Sequence, residues 1–550
     1  MTLDPQHDIE TWMSTELPPR PYPGLRPFGK DEWPIFFGRE TVVDEVIGRL
    51  IDQHMVSIHG SSGSGKSSLV RAGILPRLEQ DHASSGLAWR TCVMVPGNAP
   101  LRRLAEALAS LNDGVPGAES VLAVRRLLNR GNEAGPALSE MLRRGTTDHL
   151  CVLIDQFEEL FTFARTNRDE ALLFTEILVG LVEKPSDGLY AMLTMRSDYL
   201  GECARFPGLA EAVNRTQYLL PQMNQAALLR AIREPAELYQ GNVSRELATR
   251  LIVETSGEQD ALPLIQHGLL QLWQDKGHHK SLQNQDYFAA GGLGWLLSVH
   301  ADRVMAVAAP PDQPTQQKWV ESLFRALIDP KSEGDAVRRP QSFAELCAVT
   351  GAAPDKLRAI IDCFRAEGAS FLRPYGAQPI DDDTEIDISH EALIRWWRKI
   401  AGPQDGWLYR EFRDGLIWRS LLVAADSFKE DSTSVLAPTV TEEREQWLAG
   451  RNEAWCERYG GGWERVGALI KASREAEKKA RDDAEAELRR ARALAKAQSE
   501  RADVAEAAAA GLVKEQFDRA EFWRSWAILA AAILGVAAAV ALAVLVARFW

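Results

Sequence analysis

Apolar and polar positions along the chain fall into three successive regimes. In the first, short continuous apolar runs stand out: Met55–Ile58, Cys151–Ile154 and Tyr190–Met195. Runs of four to six apolar residues predict strands buried on both faces, as in a parallel sheet covered by helices. In the second, residues 318–328, Phe343–Val349 and Pro354–Ala366 carry amphipathic helical spacing. Strand-like runs follow at Phe371–Tyr375 and Glu385–Ser389, split by a polar, Asp-rich wing. In the third, beyond residue 400, the pattern stays helical but loses its core. Gly460–Gly462 predicts a hinge or tight turn. From Arg474 to Asp503, 17 of 30 residues are charged and nine are alanine, without Pro or Gly. Ala476, Ala480, Ala484, Leu488, Ala491 and Ala495 lie at spacings of three and four, which predicts a long solvated helix or an Ala-type coiled coil.

The last segment changes the picture again. Trp526–Ala547 is 22 residues without a charge. As a helix it would be ~33 Å long, enough to cross a hydrocarbon core of ~30 Å. Trp523, Trp526, Phe549 and Trp550 bracket it as interfacial aromatics do. Lys514, Arg519 and Arg524 precede it and Arg548 follows, a bias that places the N-terminal side in the cytoplasm. Residues 1–30 carry no apolar signal-peptide core.

The first strand leads into Gly60-Ser61-Ser62-Gly63-Ser64-Gly65-Lys66-Ser67, which fits the phosphate-loop pattern G-x-x-x-x-G-K-[ST] at every fixed position. Ser68–Ala72 then reads as a helix. Between strand and helix, glycines let backbone N–H groups close around phosphate oxygens, and the helix N-terminus adds positive field. Lys66 is placed for the β- and γ-phosphates and the Ser67 hydroxyl for Mg²⁺. The second strand ends in Asp155, positioned to hold a metal-bound water. Glu158 or Glu159 follows closely enough to orient and deprotonate an attacking water, and the sequence does not choose between them. The third strand ends in Arg196, which can sense or stabilise a γ-phosphate.

Composition narrows the classes. A net charge of −14 argues against a broad nucleic-acid surface. The helix that would read DNA sets Lys356, Arg358 and Arg365 against Asp355, Asp362 and Glu367. The six cysteines are scattered without metal or disulfide spacing and predict free thiols in a reducing compartment. No repeat of 20–50 residues is apparent, so no propeller or solenoid is expected.

Five motifs in order carry a family resemblance: Pro21–Phe28 with Phe36–Glu40, the loop segment Gly60–Pro76, Leu153–Phe161, Ala261–Leu264 and Ile386–Trp397. Together they resemble the novel STAND NTPases, relatives of NACHT and NB-ARC switches, over about residues 20–400. The resemblance implies that Gly38–Glu40, with Arg39, lies against adenine and ribose. It implies a magnesium aspartate at Asp155, an acidic pair at Glu158 and Glu159, and a sensor arginine at Arg196. Pro263 matches a proline packed on the base, although Ala261 replaces the family's glycine. His390 matches a histidine presented to the ADP β-phosphate, and by sequence it also stands where it could cap the helix starting at Glu391.

The expected architecture is therefore an α/β P-loop core with helices on both faces of a parallel sheet, at 21–220 after a flexible 1–20. A helical lid domain at 221–308, a winged-helix domain at 309–402, a helical region at 403–465, a stalk at 466–522 and a membrane helix at 523–550 complete it. The expected nucleotide ligands are Arg39, Gly60, Ser61, Ser62, Gly63, Ser64, Gly65, Lys66, Ser67, Ser68, Pro263 and His390. Ser67 and Asp155 are the expected Mg²⁺ residues, and Lys66, Glu158, Glu159 and Arg196 the expected catalytic ones. The implied activity is a slow Mg²⁺-dependent ATPase acting as a signalling switch at the inner (plasma) membrane, ADP-bound when off and ATP-bound and self-associating when on. Its partners would be other copies, a trigger ligand or protein, and lipid through 526–547. The alternatives are a continuously cycling membrane ATPase and, behind it, a winged-helix regulator.

Overall fold

The computed structural model describes residues 16–80, 88–258, 260–276, 281–332 and 336–548. Most of the expected flexible N-terminus, residues 1–15, and the bracketing aromatics Phe549 and Trp550 lie outside the described residues. The chain divides into two units, Met1–Arg419 with Asn452–Gly461, and Ser420–Arg451 with Gly462–Trp550.

The first unit opens with an all-parallel sheet of five strands: β1 (Met55–Gly60), β2 (Trp89–Met94), β3 (His149–Ile154), β4 (Leu189–Arg196) and β5 (Gln217–Leu219), in the order β2-β3-β4-β1-β5. Alternation explains its double burial. Leu150, Val152 and Ile154 point into one apolar layer with Leu178 and Phe174. Cys151 and Leu153 point into the other with Leu69, Val70 and Leu75. Parallel pairing puts all strand C-termini on one edge, where ligands of open α/β sheets bind. Gly60 is paired with Arg196, and Ile154 with Leu193, so the loop, Asp155 and Arg196 emerge side by side. The loop helix departs from a plain α-helix: Lys66–Ser68 is α, Leu69–Ile74 is π, and Leu75–Gln80 is α again. Wider π turns are frequent at functional sites.

Beyond the sheet, residues from 232 to 408 share one core together with Tyr22 and Leu25. The helix Ala261–Lys276, which carries Pro263, sends Leu264, Leu269 and Leu270 into it. Helices Pro314–Ala326, Phe343–Thr350 and Pro354–Arg365 pack into the same interior around Trp397, whose ring lies 4.9 Å from Phe324 and 5.1 Å from Trp407. Truncating an aromatic so buried costs about 3–5 kcal/mol. Two-residue strands β6 (Asn242–Val243) and β7 (Ser281–Leu282) pair in parallel within this region. Strands β8 (Ile328–Pro330) and β9 (Ala336–Arg338) form a hairpin. Then β10 (Gln341–Ser342), β11 (Leu372–Arg373) and β12 (Glu385–Ile388) form a sheet in the order β10-β12-β11. The expected pair of strands thus gains a third, and Ile328, read from sequence as helical, opens β8. The run expected to reach Tyr375 stops at Arg373 because Pro374 has no N–H to give the ladder.

A buried ion network ties the first unit's last segments down. Glu411 is 1% exposed and accepts from Arg325 Nε at 2.7 Å, Tyr459 Oη at 2.7 Å and Trp455 Nε1 at 3.1 Å. Arg458 lies 2.9 Å from the same carboxylate, and Asp414 takes the other arm of Arg325.

Gly460 and Gly461, which end the first unit, and Gly462, which resumes the second, all have positive φ at the turn into the helix Trp463–Val546 of 84 residues. Its first turns bury Val466, Leu469 and Ile470, and Ser473 Oγ accepts from Leu436 N at 3.0 Å. From residue 478 on it is exposed throughout. The expected stalk and apolar span are one uninterrupted helix, and its apolar end, with a mean hydropathy of 2.8, is a candidate membrane span.

Candidate functional site

The phosphate loop closes through two left-handed turns. Gly63 at φ 71° and Gly65 at φ 89° occupy conformations that a side chain would strain. Lys66 is buried, and its ammonium donates to its own loop's carbonyls, Gly60 O at 2.9 Å and Ser61 O at 2.7 Å. Among the described residues it pairs with no carboxylate, and burial lowers its pKa. Arg39, buried at the foot of the helix Glu40–Gln53, repeats the situation. It donates to Pro221 O at 2.7 Å and Ser64 O at 3.3 Å, and burial pushes its pKa down to about 10. Two buried cations without counter-ions are costly unless an anion joins them. The entry segment is strapped to the loop: Phe28 N donates to Ser68 Oγ at 3.2 Å, and Arg26 is paired with Glu32.

Asp155 is 1% exposed at the end of β3. Its carboxylate accepts from Ser67 Oγ at 2.7 Å and Arg71 Nε at 3.0 Å, and from Thr194 Oγ1. Burial works to raise its pKa, but Arg71, Thr194 and Ser67 outweigh that and hold it below the ordinary carboxylate value. Ser67 and Asp155 thus stand together as a hydroxyl and a carboxylate, a donor set that fits magnesium in its usual company of phosphate oxygens and water.

The two neighbouring glutamates part company. Gln156 at φ 55° turns the chain out of β3. Glu158 lines the cavity above the loop and accepts from Arg196 N at 3.4 Å. Glu159 accepts from Gly97 N at 3.2 Å and lies 3.6 Å from Arg373, away from that cavity. Burial raises both pKa values, that of Glu159 to about 7.

The cavity, of about 150 Å³, is walled by the loop residues Ser62, Gly63 and Gly65–Ser68, by Gly24–Phe28 and Arg39, by Leu262 and Pro263, and by Arg338 with Ser389–Glu391. Among the expected ligands, Gly60, Ser61 and Ser64 belong to the loop but do not line it. His390 caps the helix Glu391–Trp396, its Nδ1 accepting from Ala392 N at 3.1 Å. With Nδ1 used as acceptor, the neutral ring carries its proton on Nε2, which is buried and has no hydrogen-bond partner among the described residues. Burial lowers the ring's pKa, so it is neutral at pH 7. Asp260 lies 3.5 Å from Nδ1 and is paired with Arg395. Unmatched Nε2–H, Lys66 and Arg39 around one space fit a polyanion.

Sequence reasoning missed Glu391, Arg338 and Arg373. Glu391 accepts from Ser62 Oγ at 2.9 Å, Arg196 Nη1 at 3.1 Å and Arg338 Nε at 3.0 Å. Arg338 and Arg373 share Asp387, and Arg373 also donates to Gln156. The only signal for Glu391 was its place next to His390.

No curated protein matches the chain. Among solved structures it is similar to the ORC1 protein of Aeropyrum pernix in complex with DNA, at 14% identity over 67% of this chain and 94% of that one, with a TM-score of 0.36. The ORC2 protein of Aeropyrum pernix in its ADP form shares 15% identity over 64% and 97%, with a TM-score of 0.32. Cdc6p from Pyrobaculum aerophilum shares 12% over 68% and 94%, with a TM-score of 0.28. The model of the family Novel STAND NTPase 1 matches residues 21–434, taking in the loop, Asp155, Arg196, Pro263 and His390 in one stretch. The chain belongs to the novel STAND NTPases.

Proposed function

We propose that the protein is a membrane-tethered ATP/ADP switch, closed around ADP when off and self-associating once ATP replaces it. One observation carries the reading: the cavity has the phosphate loop on one wall and Arg338, Ser389, His390 and Glu391 on the other. A switch needs a second folded region against its phosphates, because the bound nucleotide must bias the position of that region. We read residues 309–402 as a winged-helix domain and 221–308 as a helical lid, with His390 Nε2 donating to the ADP β-phosphate and Pro263 and Arg39 framing the base and ribose.

The loop backbone from Gly60 to Ser68 and Lys66 hold the phosphates. Ser67 and Asp155 would hold Mg²⁺, which would supply charge neutralisation during phosphoryl transfer. Glu158, which faces the cavity, orients and deprotonates water, and Arg196 meets the terminal phosphate. Moving the switch from 1:99 to 99:1 takes ~5.5 kcal/mol of differential binding, so a trigger ligand or partner protein is expected to share the work. The helix 526–547 spans the inner (plasma) membrane with the nucleotide site in the cytoplasm. Clustered stalks then pass the signal on, in stress or defence responses by analogy with the family.

The test is the bound nucleotide, the mass and the unstimulated turnover of purified full-length protein. The expected result is a monomer carrying ADP, with turnover well below the ordinary enzyme range of ~1–10³ s⁻¹. A nucleotide-free ring turning over within that range refutes the switch in favour of the cycling ATPase.

A further inference from the structure

A second cavity, of about 980 Å³, lies within the first unit and shares no lining residue with the cavity above the phosphate loop. That is the upper end of the ~300–1,000 Å³ typical of small-molecule sites. Two stretches of chain wall it. One runs from Gly291 to Trp295 into the helix Leu293–Ala308, with Glu254 and Asp302 beside it. The other runs from Arg395 to Arg410 across the helices Glu391–Trp396, Arg398–Ala401 and Trp407–Glu430.

Two indoles stand on this wall, Trp295 at 45% exposure and Trp396 at 36%. Glycines seat both rings. A Cβ on Gly294 would stand 2.4 Å from Trp396 Cε3, and one on Gly291, at φ 80°, would stand 2.7 Å from Trp295 Cδ1. Four cations share the wall. Arg395 is paired with Asp260, and Arg410 with Glu321 at 3.0 Å. Arg398 and Lys399 have no carboxylate partner among the described residues; the Arg398 guanidinium lies 4.6 Å from the Trp295 ring centroid. An arginine stacked this way still presents the N–H edge of its fork. Among the acids, Glu254 accepts from Tyr287 Oη at 2.6 Å and Asp302 from Trp397 Nε1 at 2.9 Å, and Asp405 is the third.

We propose that this cavity is a second ligand site, for a small aromatic molecule with a single anionic head, a phosphate monoester or a carboxylate. The ring covers Trp295 and Trp396, and the head takes the N–H groups of Arg398 and Lys399. Planar rings suit indole faces, and charge-assisted hydrogen bonds fix the orientation. Three carboxylates on the same wall repel further negative charge, so the site rejects the run of phosphates that the first cavity fits. The proposal is independent of the nucleotide reading.

The test adds 4-fluorophenyl phosphate to the full chain in detergent and reads ¹⁹F line broadening. Two controls divide the probe: 4-fluorobenzyl alcohol is the ring without the charge, and fluorophosphate the charge without the ring. Wild type is expected to broaden the aryl phosphate about threefold or more beyond either control. The double variant Arg398→Gln, Lys399→Gln removes both charges and keeps most of each stem, and is expected to weaken binding about tenfold or more. Trp295→Leu is expected to weaken it about threefold or more. Wild type that broadens the aryl phosphate no more than either control overturns the proposal. So does a folded double variant that binds within about twofold of wild type, because the probe then sits elsewhere. If the double variant does not fold, the same result in Trp295→Leu overturns it.

Discussion

Substituting His390 tests the latch most directly, and the structure fixes how. The ring, which lines the cavity, has two nitrogens in different roles: Nδ1 caps the helix Glu391–Trp396, and Nε2 has no hydrogen-bond partner among the described residues. His390→Ala removes both, so lost capping of about 0.5–2 kcal/mol would blur the result. His390→Asn separates them, because asparagine caps well but cannot reach the cavity. A hydrogen bond from Nε2–H to a charged phosphate oxygen contributes about 1.5–3 kcal/mol, which is roughly 10- to 100-fold in ADP retention. The assay is release of a fluorescent ADP analogue into excess unlabelled ADP. Both variants are expected to release it about 10- to 100-fold faster, and only the alanine variant to lose thermal stability. Because burial lowers the ring's pKa, wild-type release should be the same at pH 7 and pH 8. A folded His390→Asn protein that releases ADP at the wild-type rate refutes the latch.

Glu158→Gln should lower ATP turnover by about 10²–10⁴-fold, while Glu159→Gln should leave most of it; equal losses would mean that facing the cavity does not decide the role. Glu411→Gln leaves Arg325 and Arg458 short of a buried carboxylate, and chemical denaturation should register a loss of about 3–5 kcal/mol; a change under 1 kcal/mol would mean that the network is dispensable. Acid should destabilise the fold through His59 and His300, an effect partly offset by Glu159, whose raised pKa of about 7 makes its contribution run the other way. His59 and His300 are buried neutral, with pKa values lowered from 6.5 to about 4, so the unfolded chain takes up their protons first. Their contribution is fully present above pH 6.5 and is lost as pH falls toward 4, at about 1.4 kcal/mol per pH unit for each ring. A melting temperature that stays flat from pH 7 to pH 5 would contradict it.

Much of the core could be read from local pattern because local pattern caused it. Cys151–Ile154 is apolar on both faces and ends in an acid, and a buried parallel strand with a carboxylate at its C-terminal edge is the direct physical result. The phosphate loop was legible for the same reason, since the left-handed turns at Gly63 and Gly65 demand glycine. His390 was readable as a cap, because capping depends on the next two residues. Glu391, Arg338 and Arg373 were not, because their meaning lies in partners tens to hundreds of residues away, at Ser62, Arg196 and Glu159. The choice between Glu158 and Glu159 was closed to sequence as well. It depends on how the turn at Gln156 aims two adjacent side chains, and no periodicity records that. Stalk and span looked like separate elements because their compositions differ, but backbone hydrogen bonding is indifferent to whether side chains are charged or apolar.

That indifference gives Trp463–Val546 a common helical phase from end to end. In a helix every residue advances the face by about 100° and the length by about 1.5 Å. The alanine stripe and the face of the apolar segment therefore hold a fixed angular offset, set by the number of residues between them. The rod can transmit rotation like a shaft, and its length and its heading are coupled. Adding one residue between stripe and span would turn the apolar face by more than a quarter circle for a trivial change in length, whereas adding seven would lengthen the rod by about 10 Å and almost restore its heading. Which way the apolar face points is thus encoded in a count of residues that lie outside it.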